Sequence, residues 1–275
     1  MSDRTILITG GGSGLGLSMA RDFATSGIRV VINGRNEDKL KLAIEQSEPE
    51  TRKKLDYAVA DIRDEQQVVN MFETLRTKYG VVDGLINNAA GNFLCCAEDL
   101  SANAFQSVID IVLKGTFLVT KNFGVNLINK KSKGSVLNIV TTYAETGSAF
   151  VLPSACAKAG VVALTKSLAF EWAEYGIRVN AIAPGPFPTP GAWKRLVPDE
   201  SMEKAFLLEQ PMKRFGEHKE LTNAVKFLMS EESAYINGVV LNVDGAESLK
   251  GGQFNFLTKM FSRDQLKKAF SAMRK

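Results

Sequence analysis

Thr5-Ile-Leu-Ile-Thr-Gly-Gly-Gly-Ser-Gly-Leu-Gly16 runs without a break into Leu17, Met19, Ala20, Phe23 and Ala24. The aliphatic and β-branched residues at the start read as a short buried strand, and the apolar positions after Gly16 recur at helical spacing. Glycines at such a strand-to-helix turn reach backbone angles closed to other residues. They also let a diphosphate approach the main chain, where its charge meets free N–H groups at the helix N-terminus. Gly10, Gly11, Gly12, Ser13, Gly14, Leu15 and Gly16 are therefore the candidate phosphate-binding turn of a dinucleotide site.

Outward from this turn, short aliphatic runs alternate with longer helical patterns, the arrangement of βαβ units around a parallel sheet buried on both faces. Strands are expected at Thr5–Thr9, Arg29–Asn33, Asp56–Ala60, Gly84–Asn87, Ser135–Val140, Arg178–Ala183 and Val239–Val243. The fold class that follows is α/β: a single Rossmann-type, doubly wound parallel sheet of about seven strands with helices on both faces. One dinucleotide-binding and catalytic domain is expected over residues 1–275. The prolines of Pro184-Gly-Pro-Phe-Pro-Thr-Pro190 forbid a helix across that start. The stretch of about 185–215 follows the carboxyl end of a strand, the place for a substrate loop. A C-terminal extension at about 246–275 is expected to end in a helix, from the capping box Ser262-Arg-Asp-Gln265 and the spacing of Leu266, Ala269, Phe270 and Met273. Its basic face of Lys267, Lys268, Arg274 and Lys275 reads as solvated.

With 45% hydrophobic and 23% charged residues, a chain of 275 residues is long enough for one large core. The net charge of +4 suits an anionic ligand, but there are no basic runs with interleaved aromatics of the kind that bind nucleic acid. Cys95, Cys96 and Cys156 form an odd set without a Cys-x-x-Cys pair, so they read as reduced packing residues, with neither a disulfide nor a zinc site. One histidine, His218, gives no material for a histidine-based triad or metal cluster; it lies in a charged stretch and reads as a solvated surface residue, and no metal is expected. No apolar run approaches the roughly 20 residues of a membrane span. The first strand begins at once, without a charged leader, so a cytoplasmic protein without membrane insertion is expected, with a processed mitochondrial form as the alternative.

The second strand ends Asn33-Gly34-Arg35. An acidic residue at that tip would bind a ribose 2′-hydroxyl and repel a 2′-phosphate, whereas an arginine pairs with the phosphate. The cofactor expected from this end is NADPH.

The Thr-Gly-x-x-x-Gly-x-Gly pattern at 9–16, Asn87-Asn-Ala-Ala-Gly91, the helix bearing Lys158 and Pro184-Gly185 together resemble the short-chain dehydrogenase/reductase family over about residues 4–245. That family usually carries a tyrosine four residues before the lysine, and here the place holds Ser154. Tyr143 stands fifteen residues before Lys158, in Thr141-Thr-Tyr-Ala-Glu-Thr-Gly147. With Asn88-Ala-Ala-Gly-Asn-Phe93, Pro153-Ser-Ala-x-Ala-Lys-Ala-Gly160 and Pro184-Gly-Pro, this spacing resembles the mitochondrial-type 2,4-dienoyl-CoA reductase branch. Two further positions depart from the common pattern. Thr141 stands where an upstream serine is usual, and Val112 replaces the asparagine before Leu-x-Gly of the long central helix.

The resemblance implies NADPH-dependent reduction of a 2,4-dienoyl-CoA to a 3-enoyl-CoA in the breakdown of unsaturated fatty acids. Hydride adds at the far end of the diene, and negative charge develops as a dienolate on the thioester oxygen. Donors aimed at that oxygen then lower the barrier. By the same resemblance Tyr143 is the principal donor and Asn92 the second; Lys158 holds the nicotinamide ribose and favours an ionised phenol, and Ser154 orients nicotinamide or substrate. Asp61 would accept from the adenine amino group, and Asn88 with the backbone of Pro184, Gly185, Pro186 and Phe187 would border the cofactor. Arg63, Phe93, Ser101 and Arg195 would lie along the acyl-CoA path. Two other functions stay open on the residues alone: reduction of another carbonyl or enoyl compound through Ser154 or Thr141, and an NADP(H)-binding scaffold without activity. Relatives are usually homotetramers. Phe105–Phe123 and Ala157–Trp172, each apolar over more than one helical stripe, agree with burial both on the sheet and against a neighbour.

Overall fold

Seven parallel strands lie side by side in the order β3-β2-β1-β4-β5-β6-β7. They are β1 (Thr5–Thr9), β2 (Arg29–Gly34), β3 (Leu55–Val59), β4 (Gly84–Asn87), β5 (Gly134–Ile139), β6 (Ile177–Pro184) and β7 (Val240–Val243), each within one residue of its expected span. The computed structural model describes residues 4–274 apart from 190, 192 and 198; the side chains of 194 and 195 also lie outside the description. Successive strand residues face opposite sides of the sheet, so an unbroken apolar run is stable only if helices cover both sides. Ile6 and Ile8 enter one core with Met19, Phe23, Val225 and Leu228, while Leu7 enters the other with Val68, Phe72, Val119 and Phe123.

The first face begins with α1 (Gly14–Thr25), α2 (Glu37–Glu45) and the short α3 (Pro49–Arg52). On the second lie α4 (Glu65–Tyr79), the α5 (Ala102–Ile109) and α6 (Gly115–Lys130) helices joined through a π-helical turn at Asp110–Lys114, and, after the single turn α7 (Tyr143–Thr146), α8 (Leu152–Glu171). Ala102–Lys130 is thus one continuous helix, long and apolar enough by length and composition to cross a membrane, with a mean hydropathy of 1.2. In this fold its Val119, Phe123 and Leu127 are fully buried against the sheet and α4.

The segment after β6 corrects the expectation of a loop over 185–215. Prolines keep 185–189 non-helical, but α9 (Trp193–Leu196) and α10 (Glu200–Leu208) follow. Asp199 starts α10 by accepting from the N–H groups of Ser201 and Met202 at 2.8 and 2.9 Å, an N-cap signal present in the sequence. The α11 helix (His218–Met229) then returns to the first face. In the extension, α12 (Leu257–Met260) precedes α13 (Arg263–Met273), whose Ser262/Gln265 capping box forms as expected and whose Leu266 is buried.

The chain leaves β1 toward β2 and β3, then crosses back to β4 on the other side. The carboxyl ends of β1 and β4 therefore flank the topological switch point, where an open α/β sheet leaves a crevice for ligand.

Lys131 closes α6 in the left-handed region at φ 50° and is exposed. Because a side chain there crowds the following carbonyl, Lys131→Gly is expected to stabilise the fold by about 1 kcal/mol. Urea unfolding with a raised midpoint and unchanged slope is the check.

Candidate active site

The glycine-rich turn is shaped by contacts that exclude even a methyl group. A Cβ on Gly16 would lie 2.4 Å from the Gly10 carbonyl oxygen and 2.6 Å from Asn88 Nδ2, and one on Gly11 would lie 2.6 Å from Ile32. Gly10 and Gly14 have φ of 64° and 54°, which glycine adopts without strain. Asn88 clamps the turn to β4: its Nδ2 donates to the carbonyls of Thr9 and Gly10 at 3.0 and 3.2 Å. The N–H groups of Asn88 and Ala89 both donate to Thr9 Oγ1, at 3.0 and 3.1 Å. Ser13 precedes α1 without a side-chain cap among the described residues, which leaves the first N–H groups of the helix to an anion. This cradle fits the diphosphate of a dinucleotide.

At the adjoining end of the crevice, the Arg63 guanidinium forks onto Asp61, with Nε–Oδ1 at 2.9 Å and Nη2–Oδ2 at 2.6 Å. Arg35 lies 3.9 Å from the same carboxylate and is largely exposed. Hydrogen bonds from Arg63 hold the Asp61 carboxyl below the usual carboxylate range. Two guanidiniums share one carboxylate, so the cluster keeps a net positive charge. Arg63 is thus brought together with Arg35 and Asp61, and its donors toward a CoA phosphate are already partly engaged.

The Tyr143 hydroxyl, at the start of α7, meets Ser154 Oγ at 3.2 Å, and Asn92 Nδ2 donates to it at 3.3 Å. Asn92 is aimed by its own turn, since its Oδ1 accepts from the Phe93 N–H at 2.9 Å. Ser154 and Lys158 stand one helical turn apart on α8, and both are buried. The Lys158 ammonium donates to the Ile139 carbonyl, and burial pushes its pKa down to about 8. Thr141 Oγ1 is buried without a partner among the described residues. Val112 is fully buried with Val108, Ala157 and Val161, and Phe93 packs against this group, so the asparagine place of the common pattern is here filled by apolar packing. Ser101 lies outside this cluster as the exposed N-cap of α5, accepting from the Ala104 N–H at 3.2 Å. The side chain of Arg195 lies outside the described residues. Pro184 to Phe187 leave β6 at its carboxyl end, and Thr189 beyond them packs 3.4 Å from where a Gly14 Cβ would stand.

Several supports went unmarked in the sequence. Asn87 Nδ2 donates to Thr120 Oγ1 and Asn138 Oδ1, both at 2.8 Å, and Asn138 Nδ2 donates to Thr165 Oγ1 at 2.9 Å. This buried ladder fixes β4 and β5 to α6 and α8. Thr142, next to Tyr143, donates to Glu247 at 3.2 Å; Glu247 pairs with Lys250 at 3.3 Å, whose ammonium lies 5.8 Å from the Phe206 ring centre of α10. The extension therefore ties the tyrosine turn to the segment after β6. Two expectations need correction. His218 is partly buried, bonded to Ser18 and to the Pro188 carbonyl, because α11 docks on α1 and carries it inward. Cys96 and Cys156 are exposed, so of the three free cysteines only Cys95 is partly packed.

Residues 10–246 match the family described as Enoyl-(Acyl carrier protein) reductase. A nematode relative, "Probable 2,4-dienoyl-CoA reductase 3 [(3E)-enoyl-CoA-producing]" of Caenorhabditis elegans, is 41% identical over 250 residues, 90% of this chain and 81% of that protein. A bacterial one, "Probable 2,4-dienoyl-CoA reductase [(2E)-enoyl-CoA-producing]" of Bacillus subtilis, is 39% identical over 257 residues, 90% of this chain and 98% of that protein. Among solved structures, a short chain dehydrogenase from Bacillus anthracis superposes with a TM-score of 0.80 at 43% identity, over 89% of this chain and 96% of that one. The chain belongs to the short-chain dehydrogenase/reductase family. It is an oxidoreductase of that family, as the dinucleotide cradle and the lysine on α8 already indicated.

A buried lysine whose folded pKa lies below its unfolded value of 10.5 costs stability wherever it is charged. That cost is fully present below a pH of about 8 and fades as pH rises toward 10.5. Lys158→Met is therefore expected to stabilise the ligand-free protein by on the order of 2 kcal/mol at neutral pH. Denaturation of both proteins across this pH range checks it, the gap narrowing on the alkaline side.

Proposed function

We propose that the chain reduces 2,4-dienoyl-CoA thioesters with NADPH, and that the Tyr143 hydroxyl is the main donor to the thioester oxygen. The observation that carries this reading is the convergence of Tyr143, Asn92 and Ser154, with the family's usual tyrosine place held by Ser154. Reduction of a ketone needs an acid able to deliver a proton to the oxygen, and a serine hydroxyl is far weaker in that role than a phenol. Reduction of a conjugated thioester needs only that charge on the oxygen be stabilised, which hydrogen-bond donors achieve. The names of the nematode and Bacillus relatives support the same substrate class.

When bound, NADPH supplies the hydride. Arg35, at a strand end without a carboxylate, would hold its 2′-phosphate, and Asp61 its adenine amino group. Gly10 to Gly16 and Asn88 shape its diphosphate cradle, with the backbone of Pro184 to Phe187 along the nicotinamide end. Tyr143 and Asn92 stabilise the dienolate oxygen; loss of one such donor costs about 2.7–4 kcal/mol of activation free energy. Lys158, cationic below a pH of about 8, would hold the nicotinamide ribose and favour charge on the phenol. Ser154 orients the tyrosine. Phe93 lines the acyl path, and Ser101, with the donors of Arg63 left free by Asp61, serves the CoA end. Water delivers the last proton at the α-carbon, which yields the 3-enoyl product. Exposed Phe117 and Val125 on α6 and Phe170 on α8 support assembly of copies into a homotetramer.

Purified protein is expected to consume NADPH with 2,4-hexadienoyl-CoA and to leave a 3-ketoacyl-CoA essentially untouched. The reverse preference would sink the proposal. Arg35→Ala is expected to weaken NADPH at least tenfold relative to NADH.

A further inference from the structure

The loop that leaves β6 is poor in backbone donors, since Pro184, Pro186 and Pro188 have no N–H. Beside the Gly185 N–H, which donates to the Val243 carbonyl at 3.0 Å, and the buried Phe187 ring, it is held through its carbonyls. Gly216 N–H donates to the Pro186 oxygen at 3.0 Å, and two residues on, His218 Nε2 reaches the Pro188 oxygen at 2.9 Å. A carbonyl oxygen can only accept, so Nε2 carries the hydrogen. In the neutral ring Nδ1 is then the acceptor, and the Ser18 hydroxyl, 2.7 Å away, donates to it. Ser18 belongs to α1, whose N-terminus faces the diphosphate cradle, and Thr189, the next residue of the loop, packs on Gly14 of that cradle.

We propose that His218 is a positioning residue for NADPH: its imidazole bridges α1 and the Pro184–Thr189 loop and so sets how closely the loop lies over the bound dinucleotide. The bridge is separable from the docking of α11 on α1. That docking has its own ties, Lys219 and Lys226 to Asp22 at 2.6 and 3.1 Å, and an apolar seam that includes Met19, Phe23, Leu221 and Val225. Without the imidazole, the Pro188 carbonyl loses its donor and the loop its side-chain hydrogen bond toward α1, while Phe187 in the core and Thr189 on Gly14 keep their packing. The Pro188 end of the loop must then be ordered by the cofactor itself, and affinity falls by that ordering cost.

The inference rests on the dinucleotide reading of the cradle, so wild-type NADPH binding is measured first by calorimetry; its absence would overturn both. His218→Ala is expected to raise the NADPH dissociation constant roughly tenfold, the worth of a partly buried hydrogen bond and its unpaired partner. His218→Gln, whose amide can still donate to Pro188, is expected to recover most of that loss. Lys219→Ala, which weakens α11 docking without touching the loop, should bind NADPH as wild type does. With the one histidine of the chain, nitrogen-detected NMR of the wild-type protein at mildly alkaline pH reads a single imidazole, expected as the Nε2–H tautomer with Nδ1 hydrogen-bonded. In turnover assays with saturating substrate, the effect should fall on the KM for NADPH and leave kcat within about twofold. Unchanged affinity in His218→Ala, an equal loss in Lys219→Ala, or an Nδ1–H tautomer would each overturn the assignment.

Discussion

Asn88 joins the carboxyl ends of β1 and β4 with a set of bonds that has no slack. Its side-chain amide spans the carbonyls of Thr9 and Gly10, and Thr9 returns the contact by accepting from Asn88 and Ala89. Every other part of the site is placed relative to this joint. It sets the curvature of the glycine turn, which leaves no space for a Cβ at Gly16, and hence where the N-terminus of α1 points. It also fixes the direction in which the chain leaves β4 toward Asn92. Because both sheet faces are covered by helices, the polar groups of the site gather at the carboxyl ends of the strands.

On the proposed reading, the chemistry is moved by one element within that frame. The hydroxyl that the common family pattern puts on α8 would be supplied from the turn before it, where Tyr143 meets Ser154. Val112, in the π-helical turn, packs where a polar relay would otherwise run. What remains is a site with donors toward an oxygen and one buried ammonium. Such a site suits a reaction in which charge on oxygen is stabilised and no alcohol is formed. Keeping Lys158 charged in a buried place costs stability, and the Asn138–Thr165 bond ties α8, which carries the lysine, to β5, whose Ile139 carbonyl accepts from it.

The strands and the glycine turn were legible because burial on both faces writes itself into the chain as unbroken aliphatic runs, and because Gly10 and Gly14 occupy angles that few other residues tolerate. Tyr143 was singled out only through the family resemblance, and the structure brings its hydroxyl to Asn92 and to Ser154 on α8. The helices α9 and α10 were obscured by the prolines before them, although Asp199 carries an ordinary N-cap signal. Asn138, Glu247 and His218 were not legible as site supports, since each acts through a partner distant in sequence: Asn87, Thr142, and Ser18 with Pro188. A charged stretch around His218 looks the same whether it faces water or docks on another helix. The fork of Arg63 on Asp61 was hidden for the opposite reason, as two adjacent charges in a loop read equally well as solvated.

Tyr143→Phe removes one oxygen atom and leaves the ring, the cofactor cradle and Lys158 in place. The rate of a single turnover with saturating NADPH and 2,4-hexadienoyl-CoA should fall by about a hundred- to a thousandfold, with NADPH affinity unchanged. A rate within about twofold of wild type would contradict the account, since Tyr143 would then contribute no more than a nearby apolar ring.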